Sequence, residues 1–196
     1  MGKKKIIGLC LAVGLMVGVV GGSLAWFTDT DKVTNSFSTT GNEQEGGKGI
    51  KIDEIWSASD AANILPGTTV NKDVRVQNNA KYDQLIRVKF TVEDKTDGQK
   101  LGNVEHVELG FKDNKENDWI EKDGWYYYNK VVEAGGFTEY LLDSVKLLGT
   151  AGEEYKNGAF DVVVDAEGVQ AANGAVGEVW SDAPDEIKKL GGVIKE

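Results

Sequence analysis

The sequence has one cysteine, one histidine and too few basic residues to balance its acids, and each shortage closes off a class of function. The cysteine, Cys10, lies in an apolar run near the N-terminus, so the rest of the chain has neither disulfides nor thiolate metal sites available to it. A fold built from that remainder must stand on its hydrophobic core. The histidine, His106, sits in Val104-Glu105-His106-Val107-Glu108. A catalytic zinc takes three protein ligands, commonly with two His at i and i+4 on a helix, and a lone His on a β-patterned segment does not supply them. His106 therefore reads as a solvent-facing strand residue. No Ser stands in a G-x-S-x-G setting, so a Ser-His-Asp triad finds no nucleophile elbow. With 22 Lys and Arg against 32 Asp and Glu, the net charge is −10. That balance disfavours nucleic acid and anionic membrane surfaces as partners, since both need basic patches.

What is present begins with a leader. Lys3-Lys4-Lys5 precedes an apolar stretch from Ile6 to Val20, then Gly21-Gly22-Ser23-Leu24-Ala25, with small residues at Ser23 and Ala25. This is the basic, apolar and small-residue order of a secretory signal, with the signal peptidase site at Ser23, Ala25 and Trp26. Counting on through Trp26 and Phe27 lengthens the apolar segment to 22 residues, so an uncleaved anchor is the alternative. Five Gly between Gly8 and Gly22, and Asp29 and Asp31 as the next charges, favour cleavage over anchoring. A lipoprotein reading fails because Cys10 comes too early. Cleavage after Ala25 removes three Lys and no acid, so the remaining 171 residues carry a net charge of −13. That length fits one domain, and contact with the membrane is expected only in transit, through the signal.

After the leader, Val33, Asn35, Phe37 and Thr39 form a short alternating segment, followed by a polar, Gly-rich stretch from Thr40 to Gly49 that is a flexible tether by composition. Period-two alternation then dominates. Ile50 and Ile52, Val70 to Val76, Ile86 to Val92, Val107 to Phe111, Trp125 to Val132, Tyr140 to Leu148 and Phe160 to Ala171 read as strands. Pro66-Gly67, Asn78-Asn79, Asp97-Gly98, Asp123-Gly124, Gly135-Gly136 and Asn157-Gly158 read as turns between them. One helix is expected near the C-terminus, with Asp182 as its cap, Pro184 near its first position, and Lys188 and Lys189 before Gly191. The organisation predicted is residues 1–25 signal peptide, 26–48 N-terminal strand and tether, and 49–196 a mostly β domain, an antiparallel sandwich or barrel.

Few residues offer chemistry. Asp113, Glu116 and Asp118 cluster, but Asp113-Asn114-Lys115-Glu116-Asn117-Asp118 lacks the D-x-[DN]-x-[DN]-G order of a calcium loop and reads as a solvated loop. A glycosidase pair of carboxylates would meet only in three dimensions. In Trp125-Tyr126-Tyr127-Tyr128, strand alternation sends Trp125 and Tyr127 one way and Tyr126 and Tyr128 the other. One pair is expected in the core and the other available as a ligand or partner surface. No cofactor or metal is expected.

Four segments, taken in order, resemble the TasA and camelysin (CalY) family of exported Gram-positive surface and matrix proteins. They are Gly21 to Asp31 at the leader junction, Leu65-Pro66-Gly67-Thr68-Thr69-Val70 through Val76-Gln77-Asn78-Asn79 to Ile86-Arg87-Val88, Asp123-Gly124-Trp125-Tyr126-Tyr127-Tyr128, and Val169-Gln170-Ala171 followed by Trp180. The resemblance implies a jelly-roll-like antiparallel β-sandwich with few short helices, export, and processing by the dedicated signal peptidase SipW. For the TasA branch it implies a homopolymer, an extracellular fibre of the biofilm matrix in which the N-terminal strand of one subunit enters the sheet of the next. Val33, Asn35 and Phe37 are then the residues expected to join subunits, by main-chain pairing and buried anchors. Pairing of that strand within its own domain is the competing expectation. The family also includes members described as camelysin metallopeptidases, which is the rival reading, and an adhesin-like module using the aromatic strand is a third.

Overall fold

Alternating apolar and polar residues give strands with one buried side, and here they assemble into two facing antiparallel sheets. The computed structural model describes residues 28–36, 49–94, 104–113, 115–152, 155 and 158–192. The leader, with Ser23, Ala25 and Trp26, lies outside the described residues, as does Phe37. The strands are β1 (Thr28–Ser36), β2 (Ile50–Trp56), β3 (Thr69–Asn78), β4 (Gln84–Asp94), β5 (Val107–Phe111), β6 (Trp119–Lys122), β7 (Trp125–Tyr128), β8 (Leu142–Leu147) and β9 (Phe160–Gln170). Three short helices accompany them: α1 (Lys115–Asp118), α2 (Ala175–Val179) and α3 (Asp185–Leu190).

One sheet has the order β1-β9-β4-β7-β6 and the other β2-β3-β8-β5. The chain changes sheet at every connection except β2 to β3 and β6 to β7, so neighbours in space mostly come from distant sequence. This is the predicted β-sandwich. Between the sheets pack Ile50, Ile52, Val74, Val76, Ile86, Val88, Leu142, Val145, Val162 and Val164, among others, all buried. Burying each such side chain contributes about 1.5–3 kcal/mol, which is the stabilisation a cysteine-free domain relies on. A second, smaller core lies on the outer side of the five-stranded sheet, where Val176, Trp180, Ala183 and Ile187 of the α2–α3 segment cover Leu85, Tyr127 and Val169. Gly168 of β9 is required by close approach, since a Cβ there would meet Ile50 Cγ2 at 2.8 Å and the Gln84 amide at 3.1 Å.

Several sequence expectations shift. β1 begins at Thr28 rather than Val33, because Thr28 to Lys32, polar enough to pass for a turn, pair fully with β9. The segment from Trp125 ends as a strand at Tyr128, and Val132 makes only an isolated bridge to Gln84. β6 was not expected; it joins β7 through Asp123 and Gly124 at φ +53° and +79°, the left-handed pair of a tight hairpin turn. The expected C-terminal helix is α3, but Pro184 is its N-cap, with no side-chain cap, and Asp182 instead lies 3.9 Å from Arg87. The acidic loop is not simply solvated. It contains α1, and Asp118 is buried with its carboxylate 2.6 Å from Lys130 Nζ.

Candidate functional site

β1 forms one edge of the five-stranded sheet. β1 runs antiparallel to β9 over nine pairs, from Thr28 opposite Val169 to Ser36 opposite Asp161. β9 needs such a neighbour on each side. Its residues Phe160 to Val164 are all buried, the pattern of a strand covered on both faces, and β4 occupies its other side over eleven pairs. Val33 is the register partner of Val164 and Asn35 that of Val162, so two of the three residues expected to join subunits stand opposite core positions of β9. In this single chain the pairing is within the domain.

Asp31 ties β1 to the other sheet as well. Its side chain is 6% exposed, and its Oδ2 accepts a hydrogen bond of 2.7 Å from the Ile52 N–H of β2, while Oδ1 accepts from the Lys32 N–H at 2.8 Å. β2 is an edge strand whose only sheet partner among the described residues is β3, so alternate N–H groups point away from the sheet. The Asp31 carboxylate satisfies one of them. A hydrogen bond of this kind, to a charged acceptor, contributes about 1.5–3 kcal/mol, and an unpaired buried N–H costs a similar amount. On the outer side Lys32 Nζ lies 3.3 Å from Asp165, an exposed pair that adds little.

The aromatic strand is packed on both sides, which corrects the expectation that one pair stays free. Tyr126 and Tyr128 turn toward the main core, Tyr126 against Phe90 and Phe111 and Tyr128 against Trp119. Burial, with Glu121 beside it, pushes the Tyr126 phenol up to about 12. Trp125 and Tyr127 turn outward, beneath the α2–α3 segment. There Arg87 Cζ sits 4.2 Å from the Trp125 ring centroid and 4.7 Å from that of Trp180. Its Nε and Nη2 reach Glu167 Oε2 at 2.9 and 2.8 Å, its Nη1 donates to the Tyr127 hydroxyl at 3.1 Å, and Trp180 Nε1 donates to the same Glu167 oxygen at 3.1 Å. Arg87 thus rivets the helical segment to the sheet. The sequence reading placed Arg87 only as a polar position in an alternating strand, because its partners come from three distant segments.

Lys72, also passed over among the valines of β3, is fully buried with Nζ 2.9 Å from Glu54 and 5.1 Å from the Trp56 ring centroid. Burial lowers its pKa, and the Glu54 carboxylate opposes that shift. His106 belongs to a 3-10 turn, half-buried, with its ring edge-on to Tyr155 at 5.4 Å and Nδ1 3.3 Å from the Tyr155 hydroxyl, so it is not the solvent-facing strand residue expected. Among the described residues no group of three or more His, Cys, Asp or Glu is arranged to hold a metal ion, and these donors do not fit a three-ligand zinc site. Nor, among them, is any helix long and apolar enough to cross a membrane.

Comparison with known proteins gives one match. The family model described as camelysin metallo-endopeptidase matches residues 2–129. No curated protein and no solved structure matches the chain.

Proposed function

The chain belongs to the camelysin family, and from that premise we propose that it is an exported structural protein that builds extracellular fibres by passing β1 of one subunit into the β9 edge of the next. The family is one of extracellular or surface-associated proteins. The observation that carries the proposal is the β1 seam. A nine-residue strand fills the open side of a strand buried on both faces, and between it and β2 the sequence is polar and Gly-rich. Strand exchange keeps every main-chain hydrogen bond of that seam and changes only which copy supplies β1. The leader gives the route, and a cut after Ala25 leaves β1 within a few residues of the new N-terminus.

The metallopeptidase reading attached to the family name rests on chemistry that the His106 surroundings do not support, so we propose a non-enzymatic role. Casein hydrolysis that is abolished by a chelator and by His106→Ala would favour the peptidase instead. The fibre proposal is tested by N-terminal sequencing and electron micrographs of secreted material. The expected results are an N-terminus at Trp26 and fibres that vanish when residues 26–39 are deleted. Fibres persisting in the deletion would sink strand donation.

A further inference from the structure

The structure assigns Asp31 a second task, as the register key of the β1 slot: it reads a β1 strand, from whichever chain supplies it, and admits one alignment against β9. Where the strand comes from a second copy, this rests on the fibre proposal above.

Strand slots are poor at counting residues. Main-chain hydrogen bonds repeat every two residues, so a strand shifted by two makes the same ladder. The slot needs side-chain chemistry to tell the alignments apart. In the observed alignment Asp31 stands opposite Ala166, and its carboxylate takes the Ile52 N–H from the facing sheet. Shifting β1 by two residues one way puts Val33 opposite Ala166, where an apolar side chain offers the Ile52 N–H no acceptor. The other shift puts Asp31 opposite Val164, a fully buried core position, and burying an unpaired carboxylate there is more costly still. That second shift is only half forbidden. The sequence Thr28-Asp29-Thr30-Asp31 repeats its acid, so Asp29 would move into the place opposite Ala166 and restore an acceptor. What stands against it is the polar end of Asp31, carboxylate or amide, buried without a partner against Val164.

A directional prediction follows. Removing that polar group releases the slip toward Val164 and no other. The chain from residue 26 onward contains every described residue and no native cysteine, so introduced cysteine pairs report the alignment. Lys32 faces Asp165 in the observed register and would face Val163 after the slip. Lys32→Cys is combined with Asp165→Cys or with Val163→Cys, each with Asp31 intact, as Asp31→Ala and as Asp31→Asn. Disulfides are then mapped by peptide mass in monomer and fibre fractions.

With Asp31 intact, the link to position 165 is expected to exceed the link to 163 at least tenfold. Asp31→Ala brings the 163 link to parity or above, and adding Asp29→Ala to it lowers the 163 link again. Asp31→Asn, whose amide oxygen still accepts from Ile52, holds the 165 register and serves where the Ala variant does not fold. An unchanged 165-to-163 ratio in Asp31→Ala, or a 163 link in Asp31→Asn equal to that in Asp31→Ala, overturns the assignment. Links that lie wholly within one chain in the fibre fraction, with the ratio still dependent on Asp31, overturn strand donation and leave the register key standing.

Discussion

The two edges of the five-stranded sheet are built in opposite ways. At one edge β6 has four residues and is tied to β7, its neighbour in sequence, by a two-residue turn. At the other, β1 has nine residues and pairs with β9, from the far end of the chain. The β6 edge closes a short loop and forms at little entropic expense, so it is a property of each copy alone. The β1 edge rests on nine non-local pairs with β9, the pairs that the proposed strand donation takes from a second copy. On the fibre proposal, the first edge is permanent and the second is the one exchanged between copies.

The contrast can be broken from either side. Deleting residues 26–39 uncovers the whole flank of β9, including the surroundings of Val162 and Val164, and is expected to lower Tm by roughly 10 °C or more as well as to abolish fibres. Adding a separate peptide of residues 26–39 is expected to restore much of that loss, measured by scanning calorimetry, as befits an exchangeable strand. At the permanent edge, Trp119 is buried against Tyr128 at a ring separation of 5.0 Å, so Trp119→Ala is expected to cost about 3–5 kcal/mol in denaturant unfolding. No added peptide should recover it, and the loss should be independent of protein concentration. Gly124→Ala strains a residue at φ +79° and is expected to cost about 1–2 kcal/mol by the same measurement.

The smallest effect concerns pH. Tyr126 faces Glu121 across the β6–β7 pair, and its phenol is raised above its ordinary value to about 12, chiefly by burial and then by the Glu121 carboxylate. The folded state therefore holds that proton more tightly than the unfolded chain does. Its contribution is fully present below pH 10 and is lost as pH rises from about 10 to about 12. Urea unfolding across that window should decline less steeply for Tyr126→Phe than for the unsubstituted protein.

Most of the sandwich was legible because its strands keep one face dry, as in Ile86, Val88, Phe90 and Val92. Legibility failed where an inward residue is polar. Asp31 and Lys72 occupy buried positions, and each is matched by a partner that only the folded chain provides, the Ile52 N–H and the Glu54 carboxylate. Period-two reading discards such residues, which is why β1 was placed several residues late. β6 escaped because four residues hold too little pattern, although Asp123-Gly124 marked its turn. The Arg87 cluster was out of reach for another reason: Trp125, Glu167 and Trp180 share no local motif and meet only across β4, β7, β9 and the α2–α3 segment. For the seam itself, sequence named Val33 and Asn35 but missed Asp31, whose tell was an acid two residues before the first apolar residue of the strand.

The most direct test of the exchangeable edge asks which copy supplies β1. Chains carrying Lys32→Cys and Asp165→Cys are prepared in heavy and light isotopic forms, mixed before assembly, oxidised as fibres and digested. Strand donation predicts cross-linked peptides joining heavy residue 32 to light residue 165, and the reverse, in the proportions of random mixing. Fibres whose links join only heavy to heavy and light to light would contradict it.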